Sequence, residues 1–504
     1  MLLPSDAGTS TEGDTRARVS MPDNLASILL VVAAVLFVIN VRPCLQVGFY
    51  QDEFPMLDAL QHWGWNWLRA AAQEGYQYGY RPLTSVLRLL VWNLWGERPV
   101  LHNLLLACVH LGFGWILLCA TRLLGEDRLH RAVVLALYFG SVIASQTLYS
   151  TVYFFPSDLL CLLTVLIMMA AVNRQWSAPK VTSWTIVVGM AALASKENGI
   201  SASLAVILVT LALWRRLSRQ HRVLLLASHT LLLAAYLLVT VYVLPARRLS
   251  AGAINFSAPQ ALRVLRGIAL SLVGPFFTGL YVPLRELGCG KVLALFGSAL
   301  AFAGFLWLAY GGDIACITKA LRARLPLGVM VTLLTAAFLV PYLPGTYFEQ
   351  RMLVSTWAMG TLLWGIVLAD ALRAWTNQVH AGGGVPLWVG GAMVVALATL
   401  SAGSPVPASV YAEQKTGVRM RQIVREAQSR KVQCIALVGF RTKGSALRLV
   451  NAKGLIGYES KRQVGVQFFD DATQLPNPCE CVSITYDEAV VNEVPLTVSW
   501  PSVR

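Results

Sequence analysis

At 504 residues, with 56% hydrophobic side chains, only 13% charged ones and a mean hydropathy of +0.58, the chain cannot be a single water-soluble globule, since an average soluble domain is about a quarter charged. Its net charge of +15 fits a membrane better than nucleic acid. Lys and Arg gather on the cytoplasmic flanks of membrane helices and meet anionic lipid there, and the sequence has no basic stripe interleaved with aromatics for a nucleic-acid strand to follow.

Residues 1–24 form a polar tail, with Arg16 and Arg18 ahead of the first apolar run. That run, 25–44, is long for a signal-peptide core and has no clear cleavage site, so it is expected to stay as a signal-anchor helix. Further spans are expected at 100–121, 132–151, 156–173, 182–195, 199–214, 223–244, 292–311, 327–343, 352–372 and 386–404, which makes about eleven transmembrane helices in all.

Orientation follows from two short basic segments, 215–222 (RRLSRQHR) and 312–324 with Lys319, Arg322 and Arg324, both expected in the cytoplasm. An odd number of crossings cannot join two loops on one side. The stretch 261–283, with Arg263, Arg266, Gly274 and Pro275, reads either as a span or as an amphipathic interfacial helix, and if 223–244 goes out and 292–311 comes back in, it does not span. The N-terminus then lies inside and the C-terminal tail outside, with long outer loops at 45–99 and 245–291. The first of these holds amphipathic pieces rich in Trp (Trp63, Trp65, Trp67, Trp92, Trp95), expected to lie flat on the outer leaflet.

The transmembrane domain, 25–404, gives way to a water-compatible stretch, 405–504. There, 408–431 reads as a helix, CIALVGF (434–440) as a buried strand, SALRLVNAKG (445–454) as a helix ended by Gly454, and VGVQFF and CVSITY as strands. The fold class is thus an α-helical polytopic membrane protein with a small C-terminal α/β extracytoplasmic domain. Six of the nine cysteines sit in or beside apolar runs as small core residues. In the tail, Cys434 is positioned to pair with Cys479 or Cys481 if that side is oxidising.

In this topology the unusual ionisable residues converge on the outer face. Asp52 and Glu53 open the first outer loop in YQDEF, and Arg81 follows in YRPL. His102 begins the second span, Asp158 the fourth in FFPSDLL, and Lys196 and Glu197 form the turn ASKENG. Arg247 and Arg248 follow the seventh span, and Glu349 and Arg351 precede a late one in YFEQR. Taken singly, each has a plain structural reading: a solvated acid pair, a helix cap, a turn at the water boundary, an interfacial anchor. Ionisable groups at membrane depth are costly and tend to be functional, and here separate loops bring them to one side.

In order and spacing, YQDEF, YRPL followed by HNLLLACVH, FFPSDLL, ASKENG and YFEQR resemble GT-C glycosyltransferases, notably the dolichyl-phosphate-mannose protein mannosyltransferases and the lipid A aminoarabinose transferases. The resemblance spans about residues 25 to 375. It implies a polyprenyl-phosphate-sugar donor at the non-cytoplasmic leaflet, with an acidic residue of the first outer loop needed for transfer. That residue corresponds here to Asp52 or its neighbour Glu53, and Asp158 corresponds more loosely to a second acidic position. A carboxylate takes the acceptor proton, while Arg81, Lys196, Arg351, Arg247 and Arg248 are candidates to stabilise the leaving phosphate, oriented by Glu197 and Glu349. A divalent metal ion held by Asp52 or Glu53 with His102 would do part of the same work. Membrane lipids and an acceptor lipid, glycan or protein are the expected partners, and a bacterial inner membrane the expected location. Two other readings stand beside this one. A transporter or flippase of lipid-linked glycans should show ionisable groups at mid-membrane in two related halves, and the sequence shows neither. A non-catalytic assembly protein would work through its tail.

Overall fold

A computed structural model describes residues 21–49, 53–74, 81–141, 156–239, 258–273, 300, 302–342, 354–380, 408–440, 449–470, 474, 481–486 and 496–501. The chain is an α-helical polytopic membrane protein with a small α/β unit at its C-terminal end. Helix α1 (Met21–Leu45) is followed by three shorter helices, α2 (Glu53–Trp63), α3 (Trp67–Ala72) and α4 (Pro82–Trp95). The bundle continues with α5 (Pro99–Leu123), α6 (Arg128–Gly140), α7 (Pro156–Asn173), α8 (Ala178–Ser195), α9 (Ile200–Ala212), α10 (Arg219–Leu238), α11 (Ala258–Val273), α12 (Ile314–Leu339) and α13 (Val354–His380). Among the described residues, α1, α5, α7, α10, α12 and α13 are long and apolar enough to cross a membrane. Helix α9 is apolar but shorter.

Within the described residues the expected spans fall on helices, with several differences; of the span expected at 292–311, residues 292–299 and 301 lie outside the described residues. The helix expected at 327–343 starts at Ile314 instead, so the basic segment 312–324 is mostly its first turns. Asp313 caps that start by accepting the Ala315 N–H at 2.8 Å, and Pro326 lies within the helix. In the span expected at 132–151, the described helix ends at Gly140, beyond which 142–155 lie outside the described residues, as do 386–404. The stretch 261–283 is described only through Val273, where α11 packs against α12 and α13.

Inside a bilayer, helix association gains little from expelling water, so close packing and buried polar contacts must supply it. Gly365 of α13 shows the packing: a Cβ there would sit 2.5 Å from Val134 Cγ2 and 2.8 Å from Val134 Cα on α6. Polar ties cross the bundle as well. Asn40 of α1 donates Nδ2–H to the Phe139 carbonyl at 2.6 Å. His229 of α10 lies between Ser203 Oγ of α9 (3.1 Å) and Thr185 Oγ1 of α8 (3.0 Å).

These contacts also sort the helix ends. At one end, Asn173 at the close of α7 donates to Leu123 O at the close of α5, and His221 near the start of α10 donates to Trp176 O. Arg324 of α12 joins them there, paired with Glu126 and with Asp370 of α13. The basic 215–222 segment and the start of α12 therefore share one end of the bundle. At the other end lie the close of α1, the start of α5, the start of α7, the α8–α9 corner and the start of α13.

The C-terminal unit contains α14 (Ala408–Ser429), β1 (Cys434–Val438), α15 (Leu449–Ser460), β2 (Gly465–Phe469), β3 (Val482–Tyr486) and β4 (Leu496–Ser499). The sheet order is β2-β1-β3-β4, with β1 parallel to both neighbours and β4 antiparallel to β3. The central strands β1 and β3 are buried almost throughout, whereas the edges β2 and β4 are not, as expected for strands covered on both faces. Cys434 is bonded to Cys481, which selects one of the two expected pairings and ties the starts of the two central strands together. The helix expected to stop at Gly454 runs on to Ser460, because Gly454 is a packing residue and not a C-cap. A Cβ at that position would lie 2.5 Å from the Pro55 Cα of α2.

That contact corrects the expectation for the first outer loop. Helix α2 does not rest its apolar face on lipid. Phe54, Leu57, Leu60 and Trp63 share a core with Met420, Ile423, Ile435, Leu455 and Ile456 of the C-terminal unit, and Trp92 of α4 packs against it. Trp65 and Trp67, by contrast, are exposed. The apolar stripe on α2 needs a dry partner, and the α/β unit supplies one with fixed shape.

Candidate functional site

The α8–α9 corner carries a polar cluster at the end of the bundle that faces the C-terminal unit. Helix α8 ends at Ser195, Lys196 follows in extended conformation, and Glu197–Gly199 makes one 3-10 turn before α9. Gly199 allows this corner: a Cβ on it would meet Ala192 O at 2.2 Å and Leu193 N at 2.5 Å, both backbone atoms. Asn198, buried, points back to α7, where its Nδ2 donates to Asp158 Oδ1 at 2.7 Å. Its Oδ1 accepts from Ser157 Oγ at 2.9 Å. Both ends of the amide are thus engaged, which fixes its orientation.

Asp158 also accepts from Ser355 Oγ at 3.0 Å, from the first turn of α13. Lys196 acts on the same carboxylate through its charge. One acid of α7 therefore gathers groups from the α8–α9 corner and α13. Asp158 lies within the first turn of α7, where a carboxylate also meets the positive end of the helix dipole.

Helix α4 leans on this corner. Thr84 Oγ1 donates to Ser195 O at 2.7 Å, next to Lys196. One turn on, the buried Arg88 places Nη1 2.9 Å from Met56 Sδ of α2. Arg81 is the N-cap of α4, and its backbone N–H donates to Gln73 Oε1 at 2.7 Å. Glu53 is the first residue of α2 and is 1% exposed.

Of the other expected site residues, His102 is buried in an aromatic nest of Phe49, Trp92 and Trp95. It donates Nε2–H to the Gly96 carbonyl at 3.0 Å, so it ties the C-cap of α4 to α5. Asp52, Arg247, Arg248, Glu349 and Arg351 lie outside the described residues, and Glu197 is placed by its backbone alone. The structure thus brings Asp158 and Lys196 together, sets Arg81 at the start of α4, which leans on their corner, and sets Glu53 at the start of α2, which packs against α4.

Four residues were missed by sequence reasoning: Asn198, Ser355, Thr84 and Arg88. The first three are neutral polar residues, common in membrane helices, with no signal of their own. Arg88 had one, since it lies seven residues after Arg81 and two turns along the same helix face.

Among the described residues, one group has metal-ligand geometry: Glu126, His130 and Asp370, whose ligand atoms lie within 4.8 Å of one another. It sits at the opposite end of the bundle, and its carboxylates already have a cation. Arg324 donates Nη1 to Glu126 Oε1 at 2.5 Å and Nε to Asp370 Oδ2 at 2.7 Å. His130 Nδ1 also meets Asp127 at 2.7 Å, and Asp127 pairs with Arg373. This is an ion-pair network joining α6, α12 and α13.

No protein-family profile matches the chain, and no curated protein matches it. Among solved structures, the crystal structure of ArnT from Cupriavidus metallidurans in the apo state is similar over 93% of this chain and 94% of that chain, with 13% sequence identity and a TM-score of 0.47.

Proposed function

We propose that the protein is a membrane glycosyltransferase that moves a sugar from a polyprenyl-phosphate donor to an extracytoplasmic acceptor. The observation that carries this reading is the convergence, on Asp158 of α7, of Lys196 and Asn198 from the α8–α9 corner and of Ser355 from α13. It occurs at the end of the bundle where α2 begins with Glu53, directly after Asp52. The order of the motifs that carry these residues, and their resemblance to GT-C enzymes, support the same reading.

The residue types suit the chemistry. The acceptor oxygen or nitrogen bonds to the anomeric carbon as the bond from that carbon to the phosphate oxygen breaks. Polyprenyl phosphate leaves with the electron pair, and the acceptor proton passes to a carboxylate, assigned here to Asp52 or Glu53. Lys196 and Arg81 stabilise the charge that grows on the departing phosphate, and they do so best where water is excluded. Asp158 holds Lys196 in place. Attack opposite the leaving group inverts the anomeric centre.

Two observations support placing this end outside the cytoplasm. The basic 215–222 segment and the start of α12 lie at the other end, as cytoplasmic flanks do. The Cys434–Cys481 bond suits an oxidising compartment.

The test compares Asp52→Asn, Glu53→Gln and Asp158→Asn with the parent chain at equal membrane abundance. The product is first defined as the difference in cell-surface lipids and glycans with and without the chain. Loss of that product in Asp158→Asn and in one of the two loop variants is expected. Full product in all three would overturn the reading.

A further inference from the structure

Gly48 and Phe54 flank residues 50–52, and α14 of the C-terminal unit touches both. The Gln414 amide lies 2.7 Å from where a Cβ on Gly48 would stand. Three residues further along α14, a Cβ on Gly417 would lie 3.2 Å from the Phe54 ring. Met420, another three residues on, shares a core with Phe49 and Phe54. Residues at this spacing form one helix face, so a single face of α14 grips the chain on both sides of Asp52.

Helix α15 grips the continuation. Gly454 abuts Pro55, and a Cβ on Gly457 would lie 2.9 Å from Asp58 Oδ1. Without side chains at these two positions, one turn of α15 lies directly on the first turns of α2. Arg462 completes the contact with two bonds to Asp58, Nη2 to Oδ2 at 2.9 Å and Nε to Oδ1 at 3.1 Å. A unit whose sequence begins some 350 residues later thus fixes the start of α2 from two sides.

We infer that the C-terminal α/β unit is a positioning element of the active site: α14 and α15 grip Gly48 and Phe49 and the first turns of α2, and so hold Glu53 in register with the Asp158–Lys196 cluster. This rests on the transfer reading above for its catalytic meaning, whereas the clamp itself is a physical claim about α2. Gln414, Gly417, Gly454, Gly457 and Arg462 are then positioning residues, not catalytic ones.

The experiment uses the full chain in detergent and in membranes, with Gly417→Leu, Gly454→Leu and the charge pair Asp58→Arg, Arg462→Asp and their double swap. Amide exchange over 53–63, which needs no ligand, is expected to quicken about tenfold or more in the glycine variants, because the helix loses its fixed partner. Exchange in α5 and α13 should stay as in the parent. Turnover should fall about a hundredfold, as for a misplacement on the order of 1 Å, with KM for the lipid donor little changed. The double swap should recover both exchange and turnover relative to either single variant. Unchanged exchange in α2 in the glycine variants would overturn the clamp. Quickened exchange with parental turnover would overturn its catalytic meaning. If the parent chain itself makes no product, the transfer reading falls, and the exchange data still decide the clamp.

Discussion

Gly199→Ala offers a sharp test of the site geometry. The added Cβ would stand 2.2 Å from Ala192 O and 2.3 Å from Ala192 C, against an ordinary separation of about 3.5 Å. Backbone cannot rotate out of the way as a side chain can, so the α8–α9 corner must open by about 1 Å. Overpacking of this kind costs about 1–3 kcal/mol. The corner carries Lys196 and Asn198, and the Asn198–Asp158 bond, now 2.7 Å, would stretch past hydrogen-bonding range. A 1 Å displacement in a catalytic constellation costs about 100-fold in rate, equivalent to about 2.7 kcal/mol of barrier. The assay is turnover per membrane-inserted molecule, with the thermal midpoint in detergent alongside. Gly304→Ala is the control, because nothing lies within 4 Å of a Cβ there; it should leave turnover unchanged and should not lower the midpoint, since Ala favours a helix over Gly. Parental turnover and midpoint in Gly199→Ala would refute the claim that this corner is held by backbone contact.

Other outcomes follow from the same contacts. Replacing Cys434 and Cys481 by Ser removes a link spanning 47 residues, which the chain-entropy relation values at about 4 kcal/mol. Thermal unfolding of the C-terminal unit should shift down, and neither thiol of the parent should react with maleimide before reduction. Arg324→Gln leaves Glu126 and Asp370 without their shared cation. Breaking such a partly buried pair costs about 3 kcal/mol, read as a lower midpoint in detergent. Tyr458 is held protonated beyond the usual phenol range, chiefly by burial and then by Glu97 beside it. A group whose folded pKa is raised stabilises fully below its unfolded value, so the C-terminal unit should lose stability as pH rises above about 10. Tyr458→Phe should flatten that alkaline loss in a pH series of melting curves.

How far the sequence speaks for itself differs by element. The apolar runs of α1, α5, α7 and α13 read directly, because a span must be apolar for about 20 residues and few other structures require that. Asp158 and Lys196 were legible for the converse reason, as ionisable groups that a membrane helix tolerates only with partners. Their partners were not. Asn198 and Ser355 take their meaning from which helices are neighbours, and sequence spacing does not record that. Gly454 was misread in an instructive way. A glycine after a helical run is a common stop signal, and only the approach of Pro55 shows that it serves instead to admit another backbone.

Helix α2 shows the boundary most plainly. Its amphipathic pattern established by itself that one face must be dry, as the whole chain's composition established residence in a membrane. Whether lipid or protein covers that face is not written in the pattern, since transfer out of water is favourable into either. Tertiary structure decided it, because only a folded partner offers the fixed shape into which Phe54, Leu57 and Trp63 fit beside Met420 and Ile456.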